Sequence, residues 1–344
     1  MRTALAAFAL SLAASASHAE LPVIEGIARL HAGIQAPLAS HEYDAVLAQL
    51  DEALKSRERL ADGRWKLNFL LGGVRRGLAG SASPEEWQRR ETDFKALAAR
   101  HESSPNGWLL AALVPYWHAW SVRGNGMSDT VSPEAQDAYR NGVARAAALL
   151  DAHPAHANPA WYDYRLQMAT ELGEPRAARD RLFAEAIKNE PAYQQTWFSR
   201  LNSLEPKWGG NLADAVVFIN QAAAVTSPTE GRGLGARLLF AADAEYGGVI
   251  DAPTLDWNAL RASLVDLVTH YPDESNAQIA LWLACSRSDK LAASKFAALV
   301  AAPPSAALLR QNAPVLGMCL EWAHGKLASF AMRDRDTGQA KIIK

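Results

Sequence analysis

The sequence predicts an all-α fold built from stacked antiparallel helix pairs, and three observations support this prediction. The chain partly repeats itself at a 36-residue offset, because Trp161 is echoed by Trp197 and Gly173 by Gly209. A period of roughly 34–40 residues is the signature of stacked helix pairs. Alanine, a strong helix former, is abundant. Runs of Val and Ile at period two, which would indicate strands, are missing.

The composition is that of a folded globular protein. Hydrophobic residues make up 49% of the 344 residues and charged residues 21%, a balance that disordered chains do not have. The net charge of −2 argues against a nucleic-acid partner, because nucleic-acid binders normally carry a basic excess.

Residues 1–19 have the pattern of an export signal. Arg2 supplies the positive start, Ala4 to Ala16 holds no charge, and Ser17-His18-Ala19 offers small residues at −3 and −1 before Glu20. The apolar stretch is short for a membrane span, although an uncleaved N-terminal anchor is the alternative. No later apolar stretch is long enough to cross a bilayer. We therefore expect an exported protein, periplasmic or secreted, with no integral span after signal removal.

Four regions follow the signal. Residues 20–40 contain two prolines and two glycines, which predict a loop with at most a short helix. Residues 41–150 form an N-terminal helical region, with apolar periodicity but no convincing repeat. Residues 151–325 form the helical-repeat region. Residues 326–344 are polar and charged after Arg333, which predicts a mobile tail.

Several helix starts can be read directly from capping residues. Ser83 and Ser132 each precede a proline and a glutamate, the arrangement of an N-cap followed by Pro at the first helical position. Asn211 is placed to cap another helix. In the repeat region, the predicted helices cover residues 161–173, 177–188, 193–204, 211–225, 234–244, 257–270, 275–285 and 290–302.

One repeat unit carries a more specific pattern. Ala292, Phe296 and Pro304 stand at the offsets of the second helix of a tetratricopeptide unit, and Phe183 and Pro191 keep the same eight-residue spacing. The array therefore resembles a degenerate tetratricopeptide-like α-solenoid. It departs from the pattern at Arg179, where the motif has a small residue.

Three motifs in order suggest a family. They are Asp62-Gly63-Arg64-Trp65-Lys66-Leu67, then Ala119 through Gly126, then Glu190-Pro191-Ala192-Tyr193 through Leu204-Glu205-Pro206-Lys207-Trp208-Gly209-Gly210. Together they resemble landmarks of the bacterial domain-of-unknown-function family 4034, a tetratricopeptide-like helical family. The resemblance covers most of residues 41–300. The family has no established activity, so it implies no catalytic residues.

The two cysteines, Cys285 and Cys319, leave two possibilities open. An oxidising compartment permits a disulfide, and their separation of nearly one repeat could bring equivalent faces together. Both lie in apolar helical contexts, where a free cysteine behaves as a small hydrophobe. No nearby histidine pair completes a zinc site.

The candidate binding residues are weak ones. Trp208 and Lys207 lie in a glycine-rich turn where a ring could meet a ligand, although a loop tryptophan can equally cover a helix end. Arg123 begins a Gly-Asn-Gly turn that could hold an anion or simply join two helices. Trp65 and Tyr193 could join Trp208 in a cleft. The Asp151, His153 and His156 grouping fits the end of a helix better than a metal site.

No catalytic or cofactor motif is present, so we expect a binding protein without a cofactor rather than an enzyme. The first hypothesis is an envelope scaffold that holds a protein or peptide partner in a groove between helix pairs. The alternative is a binder of an envelope carbohydrate or peptidoglycan polymer, or an enzyme acting on one. It depends on Trp208, Tyr193 and Trp65 meeting in one open cleft beside carboxylates.

Overall fold

The protein is an array of α-helices closed by a short hairpin. The computed structural model describes residues 22–79, 83–154, 157–246, 248–309, 312–333 and 340–344, so the predicted signal at residues 1–19 lies outside the described residues. The first eight helices are α1 (Pro22–Ala39), α2 (Tyr43–Ser56), α3 (Lys66–Leu78), α4 (Pro84–Arg100), α5 (Gly107–Arg123), α6 (Pro133–Asp151), α7 (Pro159–Glu171) and α8 (Arg176–Asn189). The next eight are α9 (Gln194–Asn202), α10 (Leu212–Glu230), α11 (Gly233–Tyr246), α12 (Trp257–His270), α13 (Glu274–Ser286), α14 (Lys290–Ala297), α15 (Ala306–Leu309) and α16 (Ala313–Ala323).

Most helices pack on the next helix in the sequence, which is the arrangement of a helical solenoid. From α3 onward the helices alternate, with first helices α3, α5, α7, α9, α11 and α13 each followed by a second helix. Most of the first helices also contact the next first helix, as α7 does α9 and α9 does α11. The predicted all-α, stacked-pair fold is confirmed. Among the described residues, none of the helices combines the length and the hydropathy needed to cross a membrane.

The repeat has a physical basis in positions that face the same environment. Gly173 and Gly209 both have positive φ, at 68° and 82°, and each ends a turn that a side chain would strain. Trp161 and Trp197 are both buried, and each indole N–H donates to a backbone carbonyl of the preceding segment. Repeated residues are therefore the residues that shape turns and fill the space between helices.

The predicted caps are also confirmed. Ser83 Oγ accepts from the Glu86 N–H at 3.2 Å, and Ser132 Oγ accepts from the Ala135 N–H at 3.2 Å. Asn211 Oδ1 accepts from the Asp214 N–H at 2.9 Å. Each bond pairs one of the backbone donors that the first turn of a helix leaves free.

The loop predicted for residues 20–40 is wrong, because α1 occupies Pro22–Ala39. Its buried face packs on α3 at two glycines of that helix. A Cβ on Gly73 would lie 2.5 Å from Ile34 Cγ2, and one on Gly77 would lie 2.5 Å from Leu38 Cδ2. The glycines of this region permit close helix packing rather than breaking the helices.

The tail also differs from its prediction. Strands β1 (Phe330–Arg333) and β2 (Ala340–Ile343) pair antiparallel, with Phe330 opposite Ile343. Phe330 and Ile343 are buried, and the Phe330 ring lies 5.9 Å from the Trp322 ring of α16. Apolar residues at alternate positions therefore fix both described parts of the tail to the core.

The core consists of two clusters of buried apolar side chains, one running from Ile34 to Tyr193 and the other from Trp197 to Ile343. The regional boundary placed at residue 150 therefore falls inside the first cluster. Trp161 of α7 joins the two sides of that boundary, since its Nε1 donates to the Leu150 carbonyl at 3.3 Å.

Candidate functional site: a groove beside a crossing loop

A loop from the N-terminal third crosses the first helices of the repeat region. This crossing loop, residues 58–65, connects α2 to α3. The Asp62 carbonyl accepts hydrogen bonds from Arg237 of α11 and, at 3.1 Å, from Asn276 Nδ2 of α13. The Gly63 carbonyl accepts from Gln194 Nε2 of α9 at 3.2 Å. First helices of three successive pairs therefore hold one Asp-Gly turn of the same chain.

An ion pair and a phenol tie the other side of the crossing loop. Arg59 Nη2 lies 2.7 Å from Glu230 Oε1 at the end of α10, and the Tyr271 hydroxyl donates to Glu230 Oε2 at 2.7 Å. Burial lowers the pKa of Arg237 to about 10, which leaves its guanidinium charged at neutral pH. The charge is stabilised by the carbonyl it binds and by neighbouring Asp62.

Trp65 and Tyr193 do meet, but inside the core. Their rings are 5.3 Å apart edge to face, and each side chain is at most 3% exposed. Trp65 Nε1 donates to the Ala192 carbonyl at 2.9 Å. The pair fastens the crossing loop to the segment before α9 and presents no ring to a ligand.

Trp208 lies in a different place. Its turn is held by Arg179 of α8, which donates to the Ser203 carbonyl at 3.2 Å and to the Trp208 carbonyl at 3.3 Å. Lys207 pairs with Glu205 at 2.8 Å and lies 5.9 Å from the Trp208 ring. Arg179, the residue that departs from the repeat pattern, is therefore the one that fixes this turn. The open aromatic cleft that a polymer-binding function needed is not formed by Trp208, Tyr193 and Trp65.

The Arg123 side chain binds the backbone of the turn that follows it. Its Nη1 donates to the carbonyls of Gly124 and Gly126 at 3.1 and 3.2 Å, and its guanidinium lies over the Trp120 ring at 5.4 Å. These contacts hold the Arg123 guanidinium against its own turn. In the histidine grouping, Asp151 binds Arg165 at 2.7 Å, His153 stacks on Trp108, and His156 lies outside the described residues.

Two carboxyl groups of α7 have raised pKa values. Burial raises the pKa of Asp163 to about 7, although hydrogen bonds from Ser199 and Gln167 act in the opposite direction. Burial likewise raises the pKa of Glu171 to about 7, and Tyr116 donates to it at 2.7 Å. The Asp163–Ser199 bond spans the 36-residue repeat and joins α7 to α9. Both carboxyls face other side chains, so they brace neighbouring helices.

The sequence did not single out Cys285 and Cys319 as a definite bond, but the structure joins them. Their Cα atoms are 6.1 Å apart, the usual span of a disulfide. Both residues are fully buried, and the bond links α13 to α16. The two alternatives left open by the sequence are thus resolved in favour of a structural cross-link.

A groove of about 560 Å³ lies between α1 and α2 and ends at the crossing loop. Its apolar surface includes Leu30 and Leu70, and its end is closed by the Lys66–Glu58 ion pair at 2.7 Å. A Cβ on Gly33 would meet nothing within 4 Å, so this wall is open space. The residues contributed by the two helices are Gly26, Arg29, Leu30 and Gly33 from α1, and Ala48, Gln49, Glu52 and Ala53 from α2.

The groove combines small and apolar lining residues with a charged rim. Small residues on both helices leave room for a further segment, and Leu30 and Leu70 offer apolar contact. Arg29 and Glu52 place opposite charges along the rim. Grooves of this kind, apolar with a few polar groups, are the usual places for ligands. No sequence pattern indicates this groove directly, because α1, which forms one of its walls, is predicted as a loop.

Comparison of the chain with protein-family models, with curated proteins and with solved structures finds no match.

Proposed function

We propose that this chain is an exported interaction scaffold that binds an amphipathic peptide segment of a partner protein in the groove between α1 and α2. The groove itself carries the proposal. It joins an apolar surface to a rim of mixed charge, which suits a segment with an apolar face and polar flanks.

The crossing loop explains why the groove, rather than the row of first helices, is the proposed site. Helical arrays usually bind partners along an extended concave surface. Here Gln194, Arg237 and Asn276 of that row already bind the carbonyls of Asp62 and Gly63. A peptide would have to displace these bonds, whereas the groove needs no displacement.

Two observations support export. Residues 1–19 have the charge and hydropathy pattern of a signal peptide. Disulfide bonds such as the buried Cys285–Cys319 bond form and persist mainly in proteins that fold in oxidising compartments. Membership of domain-of-unknown-function family 4034 stays a proposal, supported by the order of the three motifs.

Filling the groove tests the proposal. Gly33→Leu places a large side chain in open space within a helix, so we expect a folded protein whose groove is blocked. The wild-type chain is crosslinked in its own cells and its captured partner identified. We expect Gly33→Leu to lose most of that partner.

Gly317→Leu is the matched control. Gly317 also lies within a helix, α16, and its Cβ would meet nothing within 4 Å, but it lies outside the groove. This variant is expected to keep the partner. Equal capture by the two variants, or no partner for the wild type, would rule out the groove as the binding site.

A further inference from the structure

Three donor side chains of the first helices converge on two neighbouring oxygen atoms of the crossing loop. Arg237 and Asn276 both donate to the Asp62 carbonyl. Gln194 donates to the carbonyl of the next residue, Gly63. None of the three donor side chains is more than 8% exposed. A buried guanidinium and two amide N–H groups that converge on neighbouring oxygens are a donor set suited to a carboxylate.

The charge of Arg237 is not paired with a carboxylate. Among the described residues, no aspartate or glutamate oxygen lies within ion-pair distance of its guanidinium. Asp62 is the nearby acid, but its carboxylate pairs with Arg64 at 2.5 Å. Buried charges are usually paired, because an unpaired buried charge costs free energy. Arg237 therefore has a capacity for an anion that the neutral loop carbonyl leaves unused.

The two carboxamides beside Arg237 bind the loop only through their N–H groups. Gln194 Oε1 and Asn276 Oδ1 are buried and have no hydrogen-bond partner among the described residues. A buried acceptor without a donor costs free energy. A peptide segment carries backbone N–H groups on both sides of an acidic side chain. Such a segment offers these two oxygens the donors that the crossing loop does not supply.

The crossing loop covers these side chains as a lid. A cavity beside Gln194 and Arg237 measures about 10 Å³, which is room for about one water molecule. The lid is held down by the Arg59–Glu230 ion pair at 2.7 Å. Arg59 Nη1 also donates to the Gly63 carbonyl at 3.0 Å. A peptide can therefore reach the three donors only when the loop lifts.

The base of the crossing loop is anchored separately from its tip. Arg59 and Trp65 form an antiparallel bridge at the base. Trp65 is buried, and its Nε1 donates to the Ala192 carbonyl at 2.9 Å. The bonds to the three donors are made by the carbonyls of Asp62 and Gly63 at the tip. This division lets the tip lift while Trp65 stays in the core.

We propose that Gln194, Arg237 and Asn276 form a second binding site, which takes an acidic peptide segment and is covered by the crossing loop as an internal substitute. The carboxylate of the segment replaces the Asp62 carbonyl, and its backbone N–H groups pair with the two carboxamide oxygens. This site does not depend on the proposed function, because none of the three donors lines the groove.

Shortening the crossing loop tests the proposal. Replacement of residues 60–64 by Asn-Gly joins Arg59 to Trp65 through a two-residue turn, which keeps the base and removes the tip. The peptides are acetyl-Gly-Gly-Asp-Gly-Gly-amide and its Asn counterpart, and NMR titration measures their binding. We expect the shortened chain to bind the Asp peptide at least about tenfold more tightly than the Asn peptide. It should also bind the Asp peptide at least about tenfold more tightly than the wild type does.

Arg237→Gln in the shortened chain removes the charge and should abolish the preference for the Asp peptide. The matched control is Arg200→Gln in the same shortened chain. Arg200 is likewise a buried arginine of a first helix, and its partner Asp180 is 49% exposed and stays solvated. This variant is expected to keep the preference.

A second variant leaves the crossing loop at full length. Arg59→Ala removes the ion pair to Glu230 and the bond to the Gly63 carbonyl, so the loop should lift more often. We expect it to bind the Asp peptide at least about threefold more tightly than the wild type does. Arg176→Ala also removes an arginine–carboxylate pair, to Asp214 at 3.0 Å, and should match the wild type.

Three results would overturn the proposal. One is equal binding of the Asp and Asn peptides by the shortened chain. Another is no binding of either peptide by the shortened chain and by Arg59→Ala. The third is a wild type that binds the Asp peptide as tightly as these two variants do, which would mean that the crossing loop does not cover the site.

Discussion

At the scale of single residues, buried polar side chains that are not part of the repeat motif hold turns and helices together through hydrogen bonds. Arg179 replaces a small residue and holds the Trp208 turn through two carbonyls. Asp163 is buried and accepts a hydrogen bond from Ser199 one repeat later. Such groups are costly to bury unless they are bonded, so their position is fixed by their partners.

Asp163 makes the stability of the fold depend on pH. Burial raises its pKa from 3.8 to about 7, so the folded chain binds a proton that the unfolded chain has already released. The stabilisation by this proton is complete below the unfolded pKa and is lost as the pH rises through the folded pKa. We expect the free energy of unfolding to fall by about 1–3 kcal/mol between about pH 5 and pH 8.

Asp163→Asn keeps a side-chain oxygen that can accept the hydrogen bond from Ser199, and its amide group cannot ionise. Denaturant unfolding at the two pH values should show a smaller fall for this variant than for the wild type. Glu171, whose pKa is raised in the same direction, accounts for the remaining slope. An identical slope in both proteins would contradict the assignment to Asp163.

At the scale of elements, glycines decide how closely the segments pack. Gly73 and Gly77 let α1 lie directly on α3, and Gly63 lets the crossing loop lie on the Tyr271 ring. Gly63 has φ of 88°, and a Cβ there would be 2.5 Å from Tyr271 Cδ2. Gly209 has a similar φ of 82°, but its Cβ would meet nothing within 4 Å.

These two glycines separate backbone strain from packing. Gly209→Ala should lower the free energy of unfolding by about 1–2 kcal/mol, because alanine is strained in the left-handed conformation and meets no neighbouring atom there. Gly63→Ala should cost a further 1–3 kcal/mol or so, because the loop or the ring must move. Comparing the free energies of unfolding of the two variants measures this difference. Equal losses would mean that the crossing loop does not press on Tyr271.

At the scale of the whole molecule, the crossing loop and the disulfide fix the array in one arrangement. The crossing loop connects residues near position 60 to helices as far along the chain as α13. Cys285 and Cys319 then join α13 to α16, against which the C-terminal hairpin packs. A simple solenoid has contacts only between neighbouring repeats. This chain adds long-range ties that hold distant repeats together.

Export and disulfide formation can be checked together in the whole protein. We expect the chain in the periplasmic fraction or the medium of its own cells to begin at Glu20. Its intact mass without reductant should be two hydrogens lower than after reduction under denaturing conditions. A chain that retains residues 1–19 in the membrane fraction would support the uncleaved anchor instead, and an unchanged mass on reduction would contradict the disulfide.

The sequence by itself determined the helical class, most helix positions from 41 onward and the capped starts. These features depend on local spacing and on residues such as Ser83 and Asn211 that act on their own turn. Tertiary structure alone decided that residues 22–39 are helical, because the glycines there look like breakers until α3 is placed against them. It also decided that Trp65 and Tyr193 are buried, that Arg237 and Asn276 bind the crossing loop, and that a groove lies beside it. These are contacts between residues far apart in the chain, whereas the spacing of apolar residues in a sequence indicates only the structure of nearby residues.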